Sequence, residues 1–296
     1  MLNKAKLYLQ LARPHQYVKN GFVWLPIFFG LKLGDLWALE QTLIAFVAFC
    51  LAAGGVYVLN DLKDIEEDRR HPTKKNRPLA SGAISPRGAL IFMAGLLLLA
   101  ALAGSLLPKP DFLLILGAYL LLNVAYSFFL KHQTIIDVVC IALGFVLRVL
   151  AGGVAAAVPV SHWIVIMTFL LAIFLALAKR RDDLLLVAEG QSARRSIDGY
   201  NLEFVSISMA VMASVIIVAY LLYTVSPDTI QKHGTDRLYL TGFYVVVGLL
   251  RYMQLALVEN HSASPTNILL QDRFLQAVLT FWILSFFFLL YNFGSK

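Results

Sequence analysis

Long apolar stretches recur along this chain of 296 residues, and each carries at most one charged residue. Most approach the roughly 20 residues that cross a hydrocarbon core as an α-helix, a form that satisfies its own backbone where water is absent. Only 15% of the residues are charged and 59% are hydrophobic, which excludes an ordinary soluble domain. We therefore predict an all-α, polytopic membrane protein. The apolar stretches are Thr42–Leu59, Ala89–Leu107, Phe112–Leu130, Val138–Val158, Trp163–Ala178, Phe204–Val225, Leu238–Val258 and Phe274–Phe293.

A ninth, weaker span is predicted over Lys19–Leu36. Lys19 and Lys32 flank its apolar part, and Pro26 interrupts it. We include it because flanking lysines can extend towards the headgroups and a proline is tolerated in a packed membrane helix. Nine spans predict a bundle in a single membrane-embedded domain, residues 1–296, with its two termini on opposite sides of the membrane.

The basic residues predict the orientation of these spans. With the amino terminus inside, most of the 25 Lys and Arg residues fall on the cytoplasmic side of a bacterial inner (plasma) membrane. We interpret residues 1–18 as an interfacial helix, and residues 60–85 and 179–203 as cytoplasmic active-site loops. Since topology explains the net charge of +7, that charge does not indicate nucleic-acid binding.

Charged residues crowd the stretch VYVLNDLKDIEEDRRHPTKKNRPLASG, residues 56–82, at the end of the second span. If that span continues as helix, three carboxylates and one amide oxygen share an arc of about 100°. Like charges this close favour a cation between them, and hard oxygen ligands suit Mg²⁺ shared with phosphates. The predicted metal ligands are Asn60, Asp61, Asp64 and Asp68, and the three aspartates are also the predicted catalytic residues.

The residues that follow favour this interpretation. Lys74, Lys75 and Arg77 precede the turn-forming RPLASG, so one short segment supplies both metal ligands and phosphate-binding cations. A bound diphosphate requires both. The alternative is a solvated helix end in which the acids pair with Arg69 and Arg70.

This segment resembles the first signature of the UbiA-type intramembrane prenyltransferase superfamily, and the resemblance extends over nearly the whole chain. It implies helices around a central cavity that opens to the cytoplasm and laterally to lipid, with Mg²⁺ joining the acids to a diphosphate. The matching pattern is Asn60-Asp61-x-x-Asp64-x-x-x-Asp68, then His71-Pro72, then Lys75-x-Arg77-Pro78-Leu79-x-Ser81-Gly82.

Other stretches resemble the polyprenyl-phosphate phosphoribosyltransferase branch of that superfamily. Aromatic prenyltransferases of this type resemble one another in a second acid-x-x-x-acid motif after span 6, whereas here Asp182 and Asp183 are followed four residues on by Leu186 and Val187. The branch resemblance implies transfer of a phosphoribosyl group from phosphoribosyl diphosphate to a decaprenyl- or undecaprenyl-type phosphate, in cell-envelope biosynthesis. The matching stretches are ARPHQYVKNGFVWLPIFFG from residue 12, AYSFFLKHQTIIDV from 125, RVLAGG from 148 and LAKRRDDLLLV from 177.

Cations outside the acidic motif are candidates for the acceptor phosphate and the ribose 5-phosphate. Arg148 is the most informative, because a charge deep in a span is costly and usually faces a polar cavity; the alternative is an ion pair with an acid such as Asp137. Lys131 has the alternative of a loop lysine that sets topology, and Tyr126 that of an interfacial anchor. The predicted substrate- and phosphate-binding residues are Lys19, Lys75, Arg77, Tyr126, Lys131, Arg148, Lys179, Arg180 and Asp183.

Two other functions compete with this prediction. An aromatic prenyltransferase would hold a prenyl diphosphate in the acidic cluster, and a transporter would use Arg148 and Arg251 to line a path. Transporters often carry paired interrupted helices at the midplane, while nearly all ionisable residues here lie at one predicted face. We also expect that faces of small residues allow association into homo-oligomers.

Overall fold

The computed structural model describes residues 4–70, 74–188, 199–259, 268–269 and 271–293. Every regular element within these ranges is helical, and eight helices there are long and apolar enough to cross a membrane. The all-α, multi-pass prediction is confirmed. The chain divides into two compact units, residues 1–161 and 162–296, and the single-domain organisation stays a prediction.

Within residues 4–70 and 74–161, the described part of the first unit, there are seven α-helices. Two of the longer ones begin at side-chain caps, which satisfy backbone N–H groups that have no partner in the first turn. Asp35 accepts a hydrogen bond from the Ala38 amide at 3.2 Å, and Ser85 accepts one from the Gly88 amide at 3.2 Å. The helices are α1 Lys4–Ala12, α2 Leu25–Phe29, α3 Leu36–Lys63, α4 Ile65–Arg70, α5 Pro86–Ser105, α6 Asp111–Phe128 and α7 Ile136–Ala155, with 3₁₀ turns at Pro14–Trp24, Lys74–Asn76 and Leu130–His132.

The second unit contains α8 His162–Ala188, α9 Leu202–Val225, α10 Pro227–His233, α11 Gly242–Leu257 and α12 Arg273–Phe293, with a 3₁₀ turn at Arg237–Thr241. The predicted loop 179–203 is wrong in its first part. Residues 179–188 continue α8 as helix, since leucines follow the charged run and extend the apolar pattern. Residues 189–198 lie outside the described residues.

Helix α3 lies in the apolar core of the first unit. Ala45, Ala48 and Ala52 are fully buried along it, and such small residues let neighbouring helices approach closely. Between them Phe49 packs edge-on against Phe112 of α6, with ring centroids 6.0 Å apart. The carboxyl end of α3, where the acidic motif begins, is therefore held by a well-packed helix.

The ninth predicted span is not confirmed, because the chain over this segment forms two short helices. Pro14–Trp24 is a 3₁₀ helix and Leu25–Phe29 a single α-helical turn, and neither is among the candidate spans. Proline has no N–H to donate; Pro14 is the first residue of the 3₁₀ helix and Pro26 the second residue of the α-helical turn. The segment is nevertheless well packed, since Val23 and Ile27 are fully buried.

Gly152 of α7 permits a close approach by this segment. A β-carbon at position 152 would lie 2.8 Å from the carbonyl carbon of Val23, which is backbone and cannot rotate away. Gly152 is thus required for the packing of α7 against the 3₁₀ helix.

Replacing Gly152 with alanine should destabilise the fold by about 1–3 kcal/mol, because overpacking forces the backbone to move. The matched control is Gly117→Ala in α6, where an added β-carbon meets nothing within 4 Å. Thermal unfolding in detergent should show a lower midpoint for Gly152→Ala alone. Equal midpoints for the two variants would contradict the close approach.

Candidate functional site

The acidic motif does not lie on one continuous helix. Helix α3 ends at Lys63, Asp64 is its carboxyl-terminal cap and α4 starts at Ile65. Helical hydrogen bonds still cross the junction, because the Asp64 amide donates to the Asn60 carbonyl at 3.0 Å and the Asp68 amide donates to the Asp64 carbonyl at 2.8 Å. Among the described residues, no three His, Cys, Asp or Glu side chains are grouped so as to hold a metal ion.

Asp61 and Asp68 form the buried part of the motif, with 3% and 4% of their surfaces exposed. The Arg77 guanidinium donates to both carboxylates, at 3.1 Å to Asp61 and 2.6 Å to Asp68. Arg13 makes a further ion pair with Asp61. Two guanidinium groups therefore balance two buried carboxylates, which is the condition under which such charges are tolerated in a protein interior.

Arg13, which lies between α1 and the 3₁₀ helix, joins this cluster from 48 residues away in the sequence. Its backbone adopts the left-handed conformation, with φ 54° and ψ 59°, and its guanidinium lies 5.4 Å from the ring centroid of Tyr57. Burial lowers the pKa of the Arg13 guanidinium, and the negative charge of Asp61 opposes that shift. The sequence predicted no site role for Arg13, although this residue lies in the stretch from residue 12 that resembles the phosphoribosyltransferase branch.

Asp64 is the accessible member of the motif, with 27% of its side chain exposed. The Lys131 ammonium contacts Asp64 Oδ1 at 3.0 Å. Lys131 therefore lies against one of the predicted metal ligands.

Asn60 is oriented by Ser127 of α6. The Ser127 hydroxyl donates to Asn60 Oδ1 and lies 2.7 Å from the carbonyl of Asn123. The Lys63 ammonium donates to the backbone carbonyl of Ser127. Ser127 was not predicted as a site residue, although it lies in the stretch from residue 125 that resembles the phosphoribosyltransferase branch.

The remaining predicted residues of the first unit are less tightly held. Lys75 is exposed on the 3₁₀ turn Lys74–Asn76, while Lys19 and Tyr126 are half-buried.

Arg69 pairs with Glu66 at 2.8 Å rather than with the predicted metal ligands, so the solvated-helix alternative fails for this arginine. The motif residues His71 and Pro72 lie outside the described residues.

Arg148 is buried in α7, with 7% of its surface exposed. Its guanidinium donates to Asn20 Oδ1 at 2.7 Å, to the carbonyl of Gly144 at 2.8 Å and to the Tyr119 hydroxyl at 3.0 Å. No described residue gives it a carboxylate partner, so the alternative of a pair with an acid such as Asp137 is not found. All three acceptors are neutral.

In the second unit, Arg180 contacts Asp183 Oδ2 at 2.9 Å, so two predicted phosphate-binding residues form an ion pair. Lys179 is half-buried beside them in α8. Arg181 donates to the backbone carbonyl of Ala256, near the carboxyl end of α11, where a cation offsets the partial negative charge of the helix end.

The UbiA prenyltransferase family model matches residues 23–264. The chain belongs to this family. It is 31% identical to the decaprenyl-phosphate phosphoribosyltransferase of Mycolicibacterium smegmatis over 93% of this chain and 89% of that protein. The protein of the same description from Corynebacterium glutamicum is 30% identical over 95% of this chain and 86% of its own length.

Solved structures share the UbiA fold with this chain. A UbiA homologue from Archaeoglobus fulgidus, bound to DMAPP and Mg²⁺, superposes with a TM-score of 0.72 at 18% identity, over 96% of this chain and 99% of that one. A UbiA homologue from Aeropyrum pernix gives a TM-score of 0.64 at 14% identity. At these identities the likeness establishes the UbiA architecture alone.

Replacing Arg77 with glutamine should lower the free energy of unfolding by about 3–5 kcal/mol, because the buried Asp68 carboxylate loses its guanidinium partner and Asp61 keeps only Arg13. The control is Arg69→Gln, whose ion pair with Glu66 is exposed and should contribute no more than about 1 kcal/mol. Thermal unfolding in detergent measures both. A stability for Arg77→Gln equal to that of Arg69→Gln would show that the buried carboxylates do not depend on Arg77.

Proposed function

We propose that this UbiA-family protein transfers the 5-phosphoribosyl group of phosphoribosyl diphosphate to a polyprenyl phosphate and releases diphosphate. The observation that carries the proposal is similarity to decaprenyl-phosphate phosphoribosyltransferases over 93% and 95% of this chain. The acidic motif with its adjoining cations supports it, because both substrates are anionic phosphates.

The reaction forms one bond and breaks one bond at the anomeric carbon of the ribose. An oxygen of the acceptor phosphate attacks that carbon, and the diphosphate leaves with the electron pair. The acceptor phosphate is already largely ionised, since its second pKa is near 6. The chain therefore needs no general base, and its task is to hold two anions in place and to stabilise the charge on the leaving group.

The acidic motif has the donor chemistry that Mg²⁺ requires. Asp64 offers an accessible carboxylate, and Asn60, Asp61 and Asp68 supply further oxygens. We propose that these four residues hold Mg²⁺, which when bound neutralises negative charge on the diphosphate. Arg77, which balances Asp61 and Asp68, and the exposed Lys75 supply positive charge to the same diphosphate.

The other predicted cations are proposed to bind the remaining phosphate groups. Lys131 lies against Asp64 and so belongs beside the donor. Arg180, oriented by Asp183, presents a fixed guanidinium from α8. The residues proposed for this role are Lys19, Tyr126, Lys131, Arg148, Lys179, Arg180 and Asp183.

We further propose that residues 14–29 cross the membrane, which makes nine crossings and places the acidic motif on the cytoplasmic side. A 3₁₀ helix rises about 2.0 Å per residue and an α-helix about 1.5 Å. The 11 residues of Pro14–Trp24 and the five of Leu25–Phe29 thus extend about 30 Å, the thickness of a hydrocarbon core. The orientation follows from the excess of basic residues on that side.

Donor choice separates this proposal from the aromatic prenyltransferase alternative. Purified protein with Mg²⁺ is given either phosphoribosyl diphosphate and radiolabelled polyprenyl phosphate, or a prenyl diphosphate and an aromatic acceptor. We expect a phosphoribosylated lipid in the first reaction and no product in the second. Product only in the second reaction would assign the alternative function.

Asp64→Asn should reduce turnover by at least about 100-fold while the thermal midpoint stays near that of the wild type. The charge of Asp64 is the accessible one in the motif and, as a metal ligand, it would carry part of the leaving-group stabilisation. The matched control is Glu66→Gln, an exposed acid on α4 paired with Arg69, which should retain activity. Titration of Mg²⁺ should show weakened dependence for Asp64→Asn only, and wild-type turnover in that variant would remove Asp64 from the site.

A further inference from the structure

Arg148 and Arg251 both lie within membrane-spanning helices and have different partners. Arg251 of α11 contacts Asp272 Oδ2 at 2.7 Å and Glu259 Oε1 at 3.0 Å. Arg148 of α7 contacts one amide oxygen, one backbone carbonyl and one hydroxyl. The charge of Arg251 is neutralised within the protein, whereas that of Arg148 meets no carboxylate among the described residues.

An uncompensated charge inside a membrane protein is costly, and such residues mark polar sites. Arg148 is 7% exposed, so bulk water does not screen its charge. Its guanidinium lies 4.7 Å from the ring centroid of Tyr119, and the electron-rich face of an aromatic ring offsets only part of a full charge. A bound anion would supply the remaining negative charge.

Three elements fix the orientation of this guanidinium. Asn20 of the 3₁₀ helix is 1% exposed, and its Nδ2 donates to Cys50 Sγ of α3 at 3.3 Å, which directs its Oδ1 towards Arg148. Tyr119 of α6 is 3% exposed and accepts from Nη2. A guanidinium carries five N–H groups; the donations to Asn20, Gly144 and Tyr119 use three of them and leave one on Nη1 and one on Nη2. Two N–H groups on one planar fork are the arrangement that binds an oxyanion through two oxygens.

Asn20, which orients Arg148, contacts α3 at a different position from the acidic motif. Cys50, which contacts Asn20, precedes Asp61 by three helical turns, or about 16 Å along the axis. We therefore take an anion at Arg148 to be a second phosphate group, distinct from the diphosphate proposed at Asp61 and Asp64.

We propose that Arg148, oriented by Asn20 and Tyr119, forms a buried binding site for a phosphate monoester. The inference rests on the proposed function, in which two groups have this chemistry: the ribose 5-phosphate of the donor and the terminal phosphate of the lipid acceptor. Arg148 binds the anion directly, and Asn20 and Tyr119 are positioning residues.

Asn20→Asp tests the site with almost no change in shape. It places a carboxylate where Asn20 Oδ1 now accepts from Arg148 Nε at 2.7 Å, so the protein supplies its own counter-charge. If Arg148 only braces the helices, this variant keeps or gains thermal stability and binds phosphates like the wild type. If Arg148 binds an anion, the variant keeps its fold and loses that binding.

The measurement is the affinity of detergent-purified protein for ribose 5-phosphate and, separately, for a short-chain prenyl phosphate in micelles. We expect Asn20→Asp to weaken binding of at least one probe by about 30-fold or more, and the probe affected identifies the source of the phosphate. The matched control is Asn292→Asp on an exposed position of α12, which adds the same charge and should leave both affinities unchanged. Wild-type affinity of Asn20→Asp for both probes would overturn the proposal.

If Asn20→Asp does not yield folded protein, the same binding measurement is made with the variant Arg148→Lys. That variant retains the positive charge and loses the planar fork, so about 10-fold weaker binding supports the site and unchanged binding overturns it. Failure of the proposed function is seen separately, in wild-type protein that transfers no phosphoribosyl group. Wild-type protein that transfers the group, together with Asn20→Asp that binds both probes normally, defeats only the present inference.

Discussion

One guanidinium, that of Arg77, contacts two carboxylates that the fold has removed from water, and the arrangement of the acidic motif depends on that contact. It joins the end of α3, through Asp61, to α4, through Asp68. Because each buried carboxylate would be strongly destabilising alone, the turn that carries Arg77 and the two helix ends must be present together. The same charge compensation by Arg77 therefore stabilises the local fold and sets the arrangement of the acidic motif.

Charge compensation also distinguishes Arg148 from Arg251. Arg251 is neutralised by acids of its own unit, and its contacts join the end of α11 to the start of α12. Arg148 is surrounded by neutral groups that orient it and leave its charge in place. This difference is the basis for the proposal that Arg251 supports structure and that Arg148 binds a ligand.

The membrane-spanning helices were predictable from sequence because a stretch of about 20 apolar residues has few alternatives to a transmembrane helix. The residues of the acidic motif were also predictable, since their spacing is local. Their arrangement was not, because Arg13 lies 48 residues from Asp61, and Lys131 and Ser127 each lie 67 residues from their partners Asp64 and Asn60. Helical periodicity predicts that the four oxygens share one face. In the structure, the break after Lys63 and these distant contacts give each oxygen a different neighbour.

The left-handed backbone of Arg13 has a consequence for sequence variation in the family. This conformation costs a residue with a β-carbon about 1–2 kcal/mol, and a glycine would relieve it but would abandon the contact with Asp61. The turn after α1 therefore keeps Arg13 at a cost in local backbone energy. The Arg13 side chain contributes an ion pair only while an acid occupies position 61. Positions 13 and 61 are expected to covary among homologues, and loss of the acid should be accompanied by glycine or asparagine at the turn.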